Sequence, residues 1–323
     1  MNTGLNRRHF LETSMLATAA ASVGARGADA DADTPAAAAN AGTHPAMPTG
    51  KIGKLTISRL ISGGNLISGW AHSRDLHYVP SLMRAYNTET KVLETLALLE
   101  QHGVNTIIAD PAKKCMEIFA KHWKACGKIQ WIAEGHPGVD DWKTDIKRSI
   151  DFGASAVYVQ GVISDQWLNA GRVDLLGQCV DFIKSQGVPG GIGAHKLEVV
   201  REAERRKFGA DFYVKTLHHQ HYWSTRRPDQ TLDVVDNPAD NYWDFDPNKT
   251  ISFMSGVEKP WIAFKTLAAG AIQPESGFPF AFANGADFIC VGMFDFQVEA
   301  NAALVRKLLA TSEMENRPRA WFA

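Results

Sequence analysis

The chain lacks an excess of charge, a cysteine framework, a long apolar run and a dinucleotide fingerprint, and each absence excludes something. Its 34 Lys and Arg are matched by 35 Asp and Glu, giving a formal net charge of -1. No basic stripe is interleaved with aromatics, so the sequence offers no general field to a polyanion, and nucleic acid is not an expected partner. The four cysteines, Cys115, Cys126, Cys179 and Cys290, lie far apart with no CxxC spacing. That argues against a zinc knuckle or a dense disulfide set and reads instead as four buried small hydrophobes. No apolar segment reaches the ~20 residues of a membrane span, so stable insertion is not expected. No GxGxxG follows a first strand, which leaves a doubly wound dinucleotide-binding sheet as the weaker fold. What is present, 45% hydrophobic and 21% charged residues, is the composition of a folded globular protein.

The amino terminus reads as an address. Asn6-Arg7-Arg8-His9-Phe10-Leu11 sets paired arginines before an apolar pair, and Ser14 to Val23 is Ala-rich and uncharged. This resembles a twin-arginine export signal, with small residues around Ala28 and Ala30 as the cleavage site. The resemblance implies export to the periplasm or cell exterior, the twin-arginine machinery as a partner, and folding before transport. Residues 1–30 are therefore expected to be signal. Residues 31–50, rich in Ala, Pro and Gly without an apolar period, are expected to be a flexible linker.

From Lys51 to Ala323 short apolar runs alternate with helical patterns. The runs are Asn105–Asp110, Ile129–Glu134, Ala154–Gln160, Gly190–His195, Asp211–Lys215, Trp261–Lys265 and Asp287–Gly292, and a further strand near Leu60 makes eight. Continuous apolar runs of this length belong to parallel strands buried on both faces. Lys91–His102 and Leu175–Gln186 carry apolar residues at helical spacing and stop at Gly103 and Gly187. The expected fold is a single α/β (β/α)8 TIM barrel spanning 51–323. Residues 225–248 (TRRPDQTLDVVDNPADNYWDFDPN), between the sixth and seventh strands, form a rim insertion. Its aromatics, with Trp223 just before it, offer stacking faces for a sugar or another ring, or hold the segment down as a lid.

In such a barrel the carboxyl ends of the strands converge on one mouth. The polar residues there are Asp110, Glu134, Gln160, His195, Lys215 with His219, and Lys265. Asp110, Glu134 and His195 make a plausible first set of ligands for a divalent ion, oxygen and nitrogen donors suiting Mn, Zn, Fe or Mg. Equally, Asp110 with Lys215, or Glu134 with Lys265, would serve as ion pairs closing the barrel end. Lys215 or His219 is the expected proton shuttle, on one face if the strand continues that far. Lys265 is an electrostatic stabiliser or second base, and Gln160 orients substrate or water. Arg74, His72, His136 and Trp223 are the expected substrate contacts, Arg74 foremost. His218, in the run Leu217–Trp223, reads as a hydrogen-bonded loop histidine.

Four segments, LTISRLISGGN (55–65), GVNTIIAD (103–110), GVPGGIGAH (187–195) and VGMFDFQVEAN (291–301), resemble the aldo-keto reductases in order along the chain. That resemblance implies the barrel, and an Asp, Tyr, Lys and His set working around NADPH. Asp110 falls at the Asp position, whereas Cys115 is near the Tyr position, Glu134 occupies the Lys position and Gln160-Gly161 offers no His. His195, Lys196 and Lys215 lie where the nicotinamide amide would be held. Asn301 and Gln297 match the adenosine-binding end. A lysine replaced by Glu134 reverses the charge a reductase needs to polarise a carbonyl. The expectation is thus an exported, non-redox, metal-assisted lyase, isomerase or hydrolase acting on a small carbohydrate-like or keto-sugar substrate. An NADP-dependent oxidoreductase with His219 as a rearranged proton donor, and a noncatalytic ligand-binding barrel, are the alternatives.

Overall fold

A computed structural model describes residues 46–323 except Asp75 and residues 234–235 and 237–242. The expected signal and residues 31–45 of the linker lie outside the described residues, as does Tyr242 of the rim insertion. Two four-residue strands, β1 (Thr49–Ile52) and β2 (Leu55–Ser58), pair antiparallel across a turn at Gly53. From there β3 (Leu60–Gly63) leads through α1 (Asn65–Ser68), α2 (Val79–Tyr86) and α3 (Glu89–Gln101) to β4 (Thr106–Ala109). Next come α4 (Lys113–Lys124), β5 (Gln130–Gly135), α5 (Lys143–Phe152) and β6 (Ala156–Val159). Two helices, α6 (Gly161–Asn169) and α7 (Asp174–Ser185), separate β6 from β7 (Gly190–Ala194). Then α8 (Leu197–Arg205), β8 (Phe212–Thr216), α9 (Pro247–Met254) and β9 (Trp261–Phe264) follow. The chain finishes with α10 (Pro274–Ala283), β10 (Phe288–Gly292), α11 (Asp295–Leu309) and α12 (Ser312–Glu315).

Strands β3 to β10 are parallel and close into a barrel in the order β10-β3-β4-β5-β6-β7-β8-β9. The eight strands are those read from the apolar runs, and the fold is the expected α/β (β/α)8 barrel. Strand alternation sorts the core into two layers. Ile107, Ala109, Trp131, Ala133, Tyr213 and Trp261 face the helices, where they join a continuous apolar layer. Ile61, Ile108, Ile132, Ala156, Tyr158, Phe212, Val214, Ile262 and Phe288 fill the interior instead, together with Ile52 and Ile57 of the hairpin. The hairpin therefore plugs the amino-terminal end of the barrel. Burying each of these isoleucines contributes about 1.5–3 kcal/mol, so β1 and β2 are part of the fold even though β1 begins within the segment expected to be linker.

The interior parity carries forward to the strand ends. Asp110 follows Ile108 by two, Glu134 follows Ile132 and Gln160 follows Tyr158, so all three continue the inward face. Lys215 has the opposite parity: Phe212 and Val214 point in, and Lys215 shares the outward face of Tyr213.

Candidate active site at the barrel mouth

Glu134 sits at the centre of a donor shell. Its Oε2 accepts from the Tyr158 hydroxyl at 2.7 Å and its Oε1 from the Gln160 amide at 2.6 Å, with His136 Nε2 at 3.4 Å from Oε1. Burial pushes this carboxyl up, but the His136, Tyr158 and Gln160 donors outweigh it and leave Glu134 below the ordinary carboxylate range. The Tyr158 ring fits because β7 is glycine there: a Cβ on Gly193 would come within 2.8 Å of the ring. Burial and the Glu134 charge in turn push the Tyr158 phenol well above its ordinary value, so the phenol donates and stays protonated.

His195, just past β7, is held by a partner the sequence reading missed. Asp165, fully buried on α6, accepts from His195 Nδ1 at 2.8 Å, and also from the backbone N–H groups of His195 and Lys196. With Nδ1–H committed to Asp165, the basic lone pair of the neutral ring is on Nε2. Burial pushes the His195 imidazole down, Asp165 pulls it back, and the Lys265 and Lys215 charges add to the depression. The result is a neutral, oriented base. Gly161 at the start of α6 makes the approach possible, since a Cβ there would lie 3.1 Å from the imidazole. The only trace of Asp165 in the sequence is an acid on a helix whose neighbours, Ser164 and Trp167, are also buried.

Lys265 reaches the mouth by a backbone device. Phe264 lies against the interior layer, so plain alternation would send Lys265 outward. Instead Lys265 takes φ 57°, the left-handed region, and its carbonyl accepts from Ala268 N at 2.9 Å to close a turn. Such a conformation costs a non-glycine residue about 1–2 kcal/mol. Its Nζ lies 3.0 Å from His72 Nε2 and 4.0 Å from the centroid of the Trp243 ring. Burial pushes the ammonium down to about 8, against the Glu134 charge, which holds it up. Trp243 comes from the rim insertion, and His72 stacks edge-on against it at 5.0 Å. The described part of the insertion is therefore a cover with one aromatic pressed on the site.

Lys215 has a different environment from the one expected. Its Nζ is fully buried in the outer layer, donates to Thr216 Oγ1 at 2.7 Å and faces Asp244 at 3.8 Å. His219 does not share its face, because β8 stops at Thr216 and the alternation ends with it. His219 Nε2 meets Ser276 Oγ at 2.8 Å and its Nδ1 accepts from His221 N, which ties it to α10. His218 is the loop histidine expected: its Nε2 accepts from the N–H groups of both Trp243 and Asp244.

The three expected metal ligands are each occupied by other partners. Asp110 Oδ1 accepts from Ser68 Oγ at 3.1 Å and from the Cys115 thiol at 3.4 Å, and Oδ2 from Trp70 Nε1 at 3.3 Å. Among the described residues no three His, Cys, Asp or Glu side chains gather as an ion requires. The Cys115 thiol, pushed up to about 12 by burial, is a protonated neighbour of Asp110. Cys115 and Cys179 are buried as expected, but Cys126 is exposed. Of the expected substrate contacts, His72 and His136 meet Lys265 and Glu134. Arg74 lies over Trp223 at 5.5 Å, and Trp223 is 82% exposed. Gln297 Oε1 accepts from Phe294 N at 3.0 Å and caps α11, and Asn301 is buried one turn further on.

No family model matches the chain, and no curated protein matches it. Solved structures do. An aldo-keto reductase-type protein of Pseudomonas aeruginosa superposes with a TM-score of 0.56 at 16% identity, covering 81% of this chain and 94% of its own. An aldo-keto reductase of Bacillus halodurans in its holo form gives 0.54 at 13% identity, over 84% and 95%. An aldo/keto reductase of Brucella melitensis gives 0.52 at 11% identity, over 83% and 96%. The fold shared with these structures is the α/β (β/α)8 barrel. At these identities the likeness speaks for the fold alone. Within it, Asp110 follows the second barrel strand, Glu134 lies on the third, Gln160 follows the fourth, His195 the fifth and Lys265 the seventh.

Proposed function

We propose that the chain is an exported enzyme of small-molecule carbonyl chemistry without net redox change, a lyase or isomerase acting on a keto sugar or related polyol at the barrel mouth. The observation that carries this reading is the pairing of an ionised Glu134, held by three donors, with a Lys265 ammonium that burial has weakened. A base and a nitrogen centre at one mouth suit removal of a proton next to a carbonyl: Glu134 takes the proton, and Lys265 draws off the electron density left behind. His195, neutral and oriented by Asp165, moves a hydroxyl proton through Nε2. If the resemblance to the reductases is followed residue by residue, Glu134 stands for the lysine that would polarise a carbonyl, and a carboxylate in that role would work against hydride addition. A divalent ion on Asp110, Glu134 and His195 would first have to displace the Ser68, Tyr158 and Gln160 donors, so the side chains themselves are given the acid–base work.

The fold likeness supports one second reading, the NADP-dependent oxidoreductase with His219 as donor. One experiment separates the two. The purified protein is incubated with dihydroxyacetone in D2O, with and without EDTA, and C–H exchange is followed by NMR while NADPH absorbance is followed in a parallel sample. The expected result is exchange that needs no NADPH and survives EDTA. Consumption of NADPH would replace this reading with the second, loss of exchange in EDTA would restore the metal, and neither activity would leave a ligand-binding barrel.

A further inference from the structure

Two lysines stand at the ends of adjacent strands, and they are treated differently. Lys215 meets Asp244 and Thr216 and is fully buried. Lys91, Lys196 and Lys259 likewise each meet a carboxylate. Among the described residues no Asp or Glu lies within salt-bridge reach of Lys265. Its two close partners are an imidazole nitrogen and an indole face, neither of which carries a negative charge. The backbone is bent into the left-handed region to bring it there. An ammonium that only held the barrel together would be paired, as the others are.

We propose that Lys265 is a nucleophile that condenses with the carbonyl carbon of a hydroxylated ketone or aldehyde, forming an imine at the barrel mouth. The proposal rests on the carbonyl-chemistry reading above and names the group that performs it. His72 Nε2, 3.0 Å from Nζ, is placed to take the ammonium proton and free the lone pair. The amine nitrogen then bonds to the carbonyl carbon while the C=O π pair moves to oxygen. The nitrogen passes one of its own protons to that oxygen, His72 returns the proton it took, the oxygen leaves as water, and the nitrogen pair completes a protonated C=N bond. Ketone plus amine becomes imine plus water, with no change of oxidation state. A protonated imine withdraws electrons from the neighbouring carbon, and Glu134, the ionised carboxylate of the same mouth, accepts the proton released there. The lowered ammonium value of about 8 makes roughly a tenth of Lys265 neutral near pH 7, so the nucleophile is available without strong base.

Borohydride trapping tests this. Wild-type protein is treated with dihydroxyacetone and sodium borohydride at neutral pH, digested and mapped by mass spectrometry. The expected adduct has the mass of the probe less one oxygen atom, sits on the peptide carrying Lys265, and exceeds labelling of any other lysine at least about tenfold. Lys265→Arg keeps the positive charge but cannot form an imine; it should lose the adduct and lower deuterium exchange by roughly 10³-fold. Exchange without a Lys265 adduct, or labelling spread evenly over the lysines, overturns the imine while leaving the carbonyl reading intact. Absence of both exchange and adduct overturns the reading itself. Peptide mapping of the wild type decides even where the arginine variant folds poorly.

Discussion

The two ends of this barrel treat buried charge in opposite ways. At the amino-terminal end Asp287, fully buried, accepts from Arg317 Nη2 at 3.1 Å, Arg319 Nη1 at 2.8 Å and the N–H groups of Trp261 and Phe322. Arg59 donates to the carbonyls of Asp287 and Ala323, and its guanidinium lies 4.2 Å from the Trp321 ring centroid. Both carboxylate oxygens of Asp287 and most guanidinium N–H groups there find partners, Arg317 Nε excepted, and these contacts stitch the chain terminus to β10. At the mouth Lys265 lacks a carboxylate, His195 presents Nε2, and Glu134 keeps its charge through neutral donors. Matched charges serve stability, whereas charges left unequal can respond to a substrate.

The largest effect should come from breaking the matched end. Asp287→Ala leaves two buried guanidinium groups facing no anion and should cost about 3–5 kcal/mol in urea unfolding, while the protein that remains folded exchanges deuterium as before. An unchanged urea midpoint would mean the two ends do not differ in kind. At the mouth the reverse is expected: Glu134→Gln should lower exchange about 10²- to 10⁴-fold with a melting temperature shifted by a few degrees at most. A variant that kept its activity would remove Glu134 as the base.

The smallest expected effect sharpens the comparison at the cover. Burial, with the Lys215, His219 and Lys265 charges behind it, holds the His218 imidazole down to about 4, against an ordinary 6.5, and Nε2 accepts two backbone N–H groups in its neutral form. The folded value lies below the unfolded one, so between pH 6.5 and 4 the unfolded chain binds a proton that the folded chain refuses. Stability should therefore fall as pH drops through that window, on the order of 2–3 kcal/mol by pH 4. His218→Gln, which does not titrate, should flatten that slope in thermal melts. An equal slope in both proteins would assign the acid sensitivity elsewhere.

Much of the barrel was legible because a parallel strand covered on both faces must be a continuous apolar run, and Ile107-Ile108-Ala109 or Ala156-Val157-Tyr158-Val159 admits little else. The β1–β2 hairpin was not, since four-residue strands containing Gly50, Lys51 and Thr56 look like linker until the barrel interior shows where Ile52 and Ile57 go. Glu134, Gln160 and Asp110 are legible as the polar residues that end inward-facing rows. Lys215 lies one residue of parity away from those rows, the distance at which a strand turns a side chain from mouth to mantle, and only the register of β8 shows it. The shared face of Lys215 and His219 depends on where the strand stops, and it stops at Thr216. Asp165 lay on a helix, outside the rule that searched strand ends.

By itself the sequence determined the number of barrel strands, their order and the residue types at the mouth, because these follow from local apolar patterning and chain order. Only the tertiary structure decided which charges meet. Lys265 gained its site from a left-handed turn and a tryptophan arriving from another segment. His195 gained its orientation from an aspartate 30 positions earlier. Pairing depends on distances of a few ångströms between segments far apart in the chain, and no periodicity along the chain encodes that.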